Sequence, residues 1–525
     1  MARRLVESGA VLRHCVRNYA LGGDFCAAAA TTTETLHMSF LGIDIGTSGL
    51  RALLVSDSGE ALGTAEQGYT TSHPHSGWSE QDPAVWIAAL EGAVAQLRDR
   101  HAAFAQLRGI GVAGHMHGAV LLDADDKVLR PCILWNDSRS HAEARALDAR
   151  PEFRAISGNI VFPGFTAPKL EWLRKHEPDI FARTAKVLLP AAFLNLYLTG
   201  DHVADMSDSA GTSWLDVAGR DWSDVLLKNS HMRVDQMPRL VEGSAEAGVL
   251  RRCISQKWGL AGRVSVAGGA GDNAAAACGL GTLQEGQGFV SLGTSGVVLL
   301  ARDRFCPAPQ NALHTFCHAV PDRWYQMGVM LSAADSLTWL SSITGVSPKA
   351  LTTALGPKIK APGPVAFFPY LSGERTPHND AAIRAGFIGI GKDSSRENLT
   401  QAVLEGVCFG LRDSFEAIAA TGARYDKLYA IGGGSASSYW LSLLATVLKT
   451  PLHVPEGREF GAALGAARLG MTAALGIPVM DVMRPAPTAQ VIKPVEGLID
   501  AFDAAYTAFR AGYPILKSHP RAGLQ

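Results

Sequence analysis

Two acids of this chain sit where chemistry is possible. Asp44 stands two residues before the turn Gly46-Thr47-Ser48-Gly49, inside the run Leu-Gly-Ile-Asp-Ile-Gly-Thr-Ser-Gly at 41–49. The second half of the chain repeats the phrase as Val-Ser-Leu-Gly-Thr-Ser-Gly at 290–296. Each turn is entered by an apolar run and left by another, Leu50, Ala52, Leu53, Leu54 and Val55 in one case and 297–300 in the other, so each reads as a hairpin. A tight Gly-rich turn with Thr and Ser hydroxyls presents backbone N–H groups to polyphosphate oxygens. One such turn also serves as an ordinary hairpin. Two copies predict two similar domains facing each other across a cleft, with a nucleotide's phosphates between the turns.

The copies differ at one place: Asp44 in the first is replaced by Ser291 in the second. An acid beside a phosphate turn is unfavourable unless a cation lies between them, which makes Asp44 a candidate for holding Mg²⁺, directly or through water. The plainer alternative is an Asp that caps its own turn. The second acid, Asp272, follows Gly268-Gly269-Ala270-Gly271 at the end of a predicted strand (264–267) and opens a small-residue helix. That arrangement is site-like, or else a helix N-cap.

Further along, a strand at 428–431 enters Gly432-Gly433-Gly434-Ser435 and leads to a helix through Trp440, Leu443, Leu444 and Val447, the way adenine nucleotides are often met. A helix predicted over 83–99 has apolar residues at Val85, Ile87, Leu90, Val94 and Leu97. After it a strand at 107–113 runs into His115-Met116-His117-Gly118, residues that fit a cleft lining or a core equally well. The helix Gly-Ala-Ala-Leu-Gly-Ala-Ala-Arg at 461–468 reads as close packing.

With 525 residues, 47% of them hydrophobic and 18% charged, the chain can bury large cores in two or more domains. Forty-eight Lys and Arg nearly cancel 49 Asp and Glu, leaving no electrostatic footprint for nucleic acid or an anionic membrane. The eight cysteines (15, 26, 132, 253, 278, 306, 317 and 408) form no C-x-x-C pair and read as reduced, buried thiols of a cytoplasmic protein. No apolar run is long enough to span a membrane. The stretch before Met38 carries Arg3, Arg4, Arg13 and Arg17 with few acids, as a transit peptide does. The simpler expectation is an over-extended start or a disordered tail.

At this point the residues resemble the FGGY family of carbohydrate kinases. Gly164-x-Thr166-x-x-Lys169-Leu-x-Trp172 is similar to one family pattern, and Ala385-x-Phe-x-Gly389-Ile390 with Asn398-Leu-x-x-Ala402-Val-Leu-Glu405 to another. Four segments (77–83, 116–118, 134–137 and 370–378) resemble the xylulose-phosphorylating branch more than glycerol kinases. The resemblance implies an α/β fold of two actin-like (ribonuclease H-like) domains with an interdomain cleft: a 1–38 extension, an N-terminal domain at 39–281, a C-terminal domain at 282–515 and a tail at 516–525. It implies ATP and Mg²⁺ as cosubstrate and metal, a small sugar as acceptor, and a homodimer as the assembly. Carried over motif by motif, Asp272 is the expected catalytic base and Asp44 the metal-associated acid. Met116, His117, Asn273 and Trp135 are expected at the sugar, and Thr47, Ser48, Gly293, Thr294, Ser295, Gly433 and Gly434 at the nucleotide. A sister kinase for another ketose or polyol, and a non-catalytic sugar sensor or nucleotide-driven interaction protein, are the alternatives. The paired acids speak against the latter.

Three positions depart from the family's usual residues. His115 replaces a common Gln, with an expected effect on sugar preference or pH dependence. Ala191-Ala192-Phe193 replaces Lys-Asp-Tyr, and Ser435-Ala436-Ser437 replaces Ala-Arg-Ser beside adenosine.

Overall fold

Strand β1 (Ser39–Ile45) enters the first Gly-Thr-Ser-Gly turn and β2 (Gly49–Ser56) leaves it antiparallel, with Leu41 opposite Leu54 and Asp44 opposite Arg51. The computed structural model describes residues 38–457 and 461–519, which form one compact unit. The expected extension lies outside the described residues except for Met38, as do Cys15, Cys26 and positions 520–525 of the expected tail.

β3 (Ala61–Gly68) pairs with β2, and helix α1 (Pro83–Arg100) follows. Its start is set by Pro83 at the first helical position and by Asp82, whose carboxylate accepts the Ala84 N–H at 2.9 Å. Trp86, Leu90, Val94 and Leu97 are buried on its inner face. β4 (Leu107–Gly114) lies parallel to β1. After α2 (Thr166–His176) and α3 (Pro190–Thr199), β5 (Glu246–Val249) and β6 (Ser265–Ala267) complete a sheet of order β5-β6-β4-β1-β2-β3, with Ala270–Gly271 also paired to β4. Its inner strands are apolar on both faces because helices cover both sides. Helix α4 (Asp272–Leu280) follows immediately.

The second half repeats the plan. β7 (Gln287–Leu292) and β8 (Gly296–Arg302) form the hairpin around the second Gly-Thr-Ser-Gly. β9 (His314–Cys317) and β10 (Trp324–Met330) extend the sheet on the β8 side. Helices α5 (Ala334–Thr344) and α6 (Arg396–Ala419) precede β11 (Lys427–Ile431), which lies parallel to β7. Then come α7 (Ser438–Leu448), β12 (Leu452–Pro455), α8 (Gly461–Leu475), β13 (Thr488–Ile492) and α9 (Ile499–Ser518). The order is β9-β10-β8-β7-β11-β12-β13. Third antiparallel strand, hairpin, two parallel strands and an antiparallel edge lie in the same spatial order in both sheets, with β9 an extra strand in the second, so the repeated turn marks a repeated domain.

Two differences from expectation stand out. α9 runs through Ser518, so the first residues of the expected tail are helical. And α8, from the second half, packs on the first sheet. A Cβ built on Gly42 would run into the Ala463 carbonyl oxygen, one on Gly111 into that of Ala466, and one on Gly109 into that of Gly470. α8 also meets α4: a Cβ on Gly465 would strike the Ala275 carbonyl oxygen and lie 2.9 Å from the Gly279 nitrogen. The small residues of 461–468 therefore allow backbone-to-backbone contact with both a sheet and a helix. Among the described residues all six cysteines are free, with Cys132, Cys278, Cys317 and Cys408 buried and Cys253 exposed.

Candidate active site

The first turn is braced from outside. Tyr69 donates its hydroxyl to the Gly46 carbonyl at 2.7 Å, and Gln81 donates to the Thr47 carbonyl at 2.6 Å while its own carbonyl is held by the Trp86 indole at 3.0 Å. The Trp135 indole N–H reaches the Thr47 hydroxyl at 3.0 Å, yet its ring is 42% exposed and free to cover a ligand. With its carbonyls tied back in this way, the turn keeps a fixed shape and Ser48 stays exposed.

Asp44 lies at the end of β1, just before this turn. Burial and the nearby negative charge of Asp272 push its carboxyl from 3.8 up to about 7, against the opposing charge of Arg51. Asp272 itself is raised to about 6 by burial, while hydrogen bonds from the Asn273 backbone and side-chain N–H groups, at 2.6 and 2.8 Å, oppose the shift. The structure thus brings the two acids into one electrostatic neighbourhood and leaves both poorly solvated. Gly271 occupies the N-cap of α4 and makes no side-chain cap, so Asp272 is the first helical residue and does not cap the helix. The loop before it is held from below: Asn195 on α3 donates to the Gly268 carbonyl at 2.9 Å, and the Gly271 N–H donates to Ser207 Oγ at 3.2 Å.

Met116 and His117 follow the end of β4. The Met116 sulfur lies 4.0 Å from the Tyr325 hydroxyl and close to Gly271, so it lines the space beside Asp272. His117 adopts a left-handed backbone (φ 71°), a strained state for a residue with a Cβ. Three bonds hold it there. Lys169 Nζ and the Thr166 hydroxyl, both on α2, donate to its carbonyl at 2.7 and 3.2 Å, and its Nδ1 lies 2.6 Å from the Gly211 carbonyl. A carbonyl only accepts, so Nδ1 carries the proton. Burial and the charges of Lys169 and Arg375 hold the imidazole neutral, with its value lowered to about 3, and this leaves Nε2 as a pure acceptor. The ring stacks on Phe165 at 4.4 Å.

In the second half, the Gly293 and Thr294 carbonyls accept from Ala334 and Ala333 N–H groups at 2.9 Å, at the start of α5, which leaves Thr294 exposed. Gly432 abuts this turn: at φ 85° a Cβ would lie 2.8 Å from Leu292 C and 3.0 Å from Gly293 N. The glycine turn takes 3-10 form (Gly433–Ala436), and Ser437 then caps α7 at the Trp440 N–H. Gly433 faces open space, and a groove of about 600 Å³ opens nearby, lined by Ser435, Ala436, Ser438, Pro455 and Gln490.

The three departures are accounted for. His115 points into the first core against Trp86, 5.6 Å ring to ring, with neither ring nitrogen bonded, so it does not line the space beside Met116 and His117. Ala191 and Ala192 are buried, and the small side chain of Ala191 lets α3 approach Gly114. Ala436 lies on the groove wall, where the usual Arg would have projected. Phe165, Tyr325 and Arg375 line the site as well. The sequence does not single them out, since an aromatic before a helix or on a strand carries no chemical signal and Arg375 stands there only as part of the longer segment 370–378.

The comparisons agree with this geometry. The pattern of the FGGY family of carbohydrate kinases, N-terminal domain, matches residues 39–279, and that of its C-terminal domain matches 288–474. The xylulose kinase of Escherichia coli (strain K12) is 47% identical over 437 residues, 83% of this chain and 90% of that protein. That of Klebsiella pneumoniae is 45% identical over 436 residues, with coverage of 83% and 90%. The crystal structure of a xyloylose kinase from Brucella ovis superposes with a TM-score of 0.90 at 54% identity, covering 91% of this chain and 99% of that one. Two duplicated actin-like domains, a phosphate turn in each and a poorly solvated acid at a helix start thus carry the same conclusion as the comparisons: the chain belongs to the FGGY family of carbohydrate kinases.

Proposed function

We propose that the protein transfers the terminal phosphoryl group of ATP to the primary hydroxyl of D-xylulose, giving D-xylulose 5-phosphate. The observation that carries this reading is the placement of Asp272. It is a carboxylate at a helix start, poised near neutrality by burial, between the acid beside the first phosphate turn and the Met116-His117 wall. The xylulose kinases at 45–47% identity supply the sugar.

In this reading Asp272 accepts the proton of the terminal hydroxyl as the phosphorus–oxygen bond forms. Asn273 steadies its carboxylate through the bonds described above. His117 Nε2 accepts a hydrogen bond from a sugar hydroxyl, Met116 packs against the carbon chain, and Trp135 covers the reacting end from water. Thr47, Ser48, Thr294 and Ser295, with the backbone of Gly293, cradle the phosphates, and Gly433 and Gly434 border adenosine.

Among the described residues no three His, Cys, Asp or Glu side chains gather into a self-sufficient metal site. Two neighbouring carboxylates with raised values fit a cation shared with nucleotide phosphates. Asp44 would hold it, and the ion would supply charge neutralisation to the phosphates. Asp44→Ala is therefore expected to raise the Mg²⁺ concentration needed for half-maximal rate about tenfold or more, with little change in sugar affinity. A Mg²⁺ titration with the parental profile would contradict the role.

ADP release measured over D-xylulose, D-ribulose, glycerol, xylitol and no sugar tests the whole reading. Turnover should be highest with D-xylulose and near background without sugar. Equal ADP release in all cases would overturn it, and a preference for another acceptor would move the assignment to a sister kinase.

A further inference from the structure

Arg375 holds its charge against aromatic and imidazole rings. Its guanidinium lies over the Phe162 ring at 4.4 Å and reaches His314 Nε2 only at 3.5 Å, and among the described residues no carboxylate forms an ion pair with it. The charge of its neighbour Glu374 favours the guanidinium, yet the two make no ion pair. That carboxylate is turned to the backbone N–H groups of Leu331 and Arg375 at 3.1 and 2.7 Å, and burial pushes it up to about 8, so it is largely protonated at neutral pH. His314, stacked on Phe316, is kept neutral by burial and by Arg375 itself. Desolvation lowers even the guanidinium, to about 10. A poorly solvated guanidinium with five donors and, among the described residues, no carboxylate bonded to it has most of its hydrogen-bonding capacity unspent.

Its place in the site says what would use that capacity. Arg375 comes from the second half of the chain, whereas Phe162, Phe165 and His117 come from the first, and its charge is felt at His117 and His314. The charges felt at Asp44 are those of Asp272 and Arg51. Arg375 therefore belongs to the His117 end of the site, away from the two acids where the phosphoryl group must arrive. A ketose with its terminal hydroxyl at Asp272 directs its opposite end, the hydroxy-ketone, toward this region. A ketone oxygen only accepts. His117 Nε2 cannot serve it, being an acceptor too, and a donor is required.

We propose that Arg375 is a further sugar-binding residue, donating hydrogen bonds from its guanidinium to the ketone end of the acceptor and so setting the preference for ketoses over polyols. This deepens the reading above and rests on it. His117 and Arg375 then form an acceptor–donor pair that distinguishes hydroxyl from carbonyl. Because they come from different halves of the chain, the sugar also links the halves.

The test uses the full chain, Arg375→Gln and Arg375→Lys, with D-xylulose, xylitol (the same chain with the ketone reduced) and ATP as varied substrates. Arg375→Gln should lower kcat/KM for D-xylulose about 10- to 100-fold, mainly through KM, while the KM for ATP stays within about twofold. The ratio of kcat/KM for xylulose over xylitol should collapse toward unity. Arg375→Lys, which keeps the charge but loses the planar fork, should fall between. A parental ratio in Arg375→Gln, or a rise confined to the KM for ATP, would overturn the proposal. If neither variant melts like the parent, the parental protein decides: a clear preference for xylulose over xylitol supports the donor, and equal use of both overturns it. Failure of the parental protein to use xylulose at all would instead sink the ketose reading.

Discussion

Asp272→Asn should fold, bind ATP and lose about 10² to 10⁴ in turnover of xylulose. Gly271, not Asp272, is the N-cap of α4, and an amide oxygen at 272 can still accept the bond that the Asn273 N–H makes at 2.6 Å, so Asn keeps the helix start. It cannot take the substrate's proton. The carboxyl titrates at about 6, so the base form is present above that pH and disappears below it. The parental kcat/KM should fall as pH drops through about 7 and then about 6, where Asp44 and Asp272 protonate in turn, and the step at about 6 should be missing from the residual activity of the variant. Stability should move the other way. The folded state holds this proton more tightly than the unfolded chain, where the value is 3.8, so folding weakens as pH rises from 3.8 to about 6 and stays weakened above. At pH 8 the Asn variant should thus melt at or above the parental temperature. A variant that melts like the parent, binds ATP and turns over xylulose at a near-parental rate would show that Asp272 is not the base.

Gly465→Val is expected to abolish soluble protein, and Gly465→Ala to cost more than about 3 kcal/mol, beyond ordinary overpacking. The new Cβ would meet the Ala275 carbonyl oxygen and the Gly279 nitrogen, backbone atoms of α4 that cannot swing aside as a side chain can. Gly497→Ala is the control: nothing lies within 4 Å of its Cβ position, and the change should stay within about 0.5 kcal/mol. Thermal melts of the two alanine variants make the comparison. A Gly465→Ala protein that melts with the parent would mean that α8 and α4 are not packed backbone to backbone.

Much of the molecule was legible in the residues because its most telling signal is local. Gly46-Thr47-Ser48-Gly49 and its copy at 293–296 each specify a hairpin within a dozen residues, and hairpins extend into sheets of predictable order. The strand, glycine turn and acid at 264–272 were equally readable, since the chemistry and the element that positions it are adjacent in sequence. Long-range partners were not readable. The small residues of 461–468 announced close packing but not its targets, Gly42 and Gly111 of the other half. The strain at His117 was silent, because a left-handed histidine looks like any other until Thr166 and Lys169 are seen on its carbonyl. His115 drew attention as a departure beside the site, yet alternation along the chain turns it into the core.

The docking of α8 on the first sheet also bears on how the protein is made. A ribosome delivers β1, β4 and α4 first, with the glycine faces that receive α8 still bare, and the helix that covers them ends only at Leu475. Over that interval the nascent first half carries an apolar, backbone-lined trough open to any other chain. Its final closure, and with it the seating of the helix that bears Asp272, waits until most of the second half has been synthesised. Chaperone binding and aggregation during expression should therefore concentrate on chains arrested between α4 and α8.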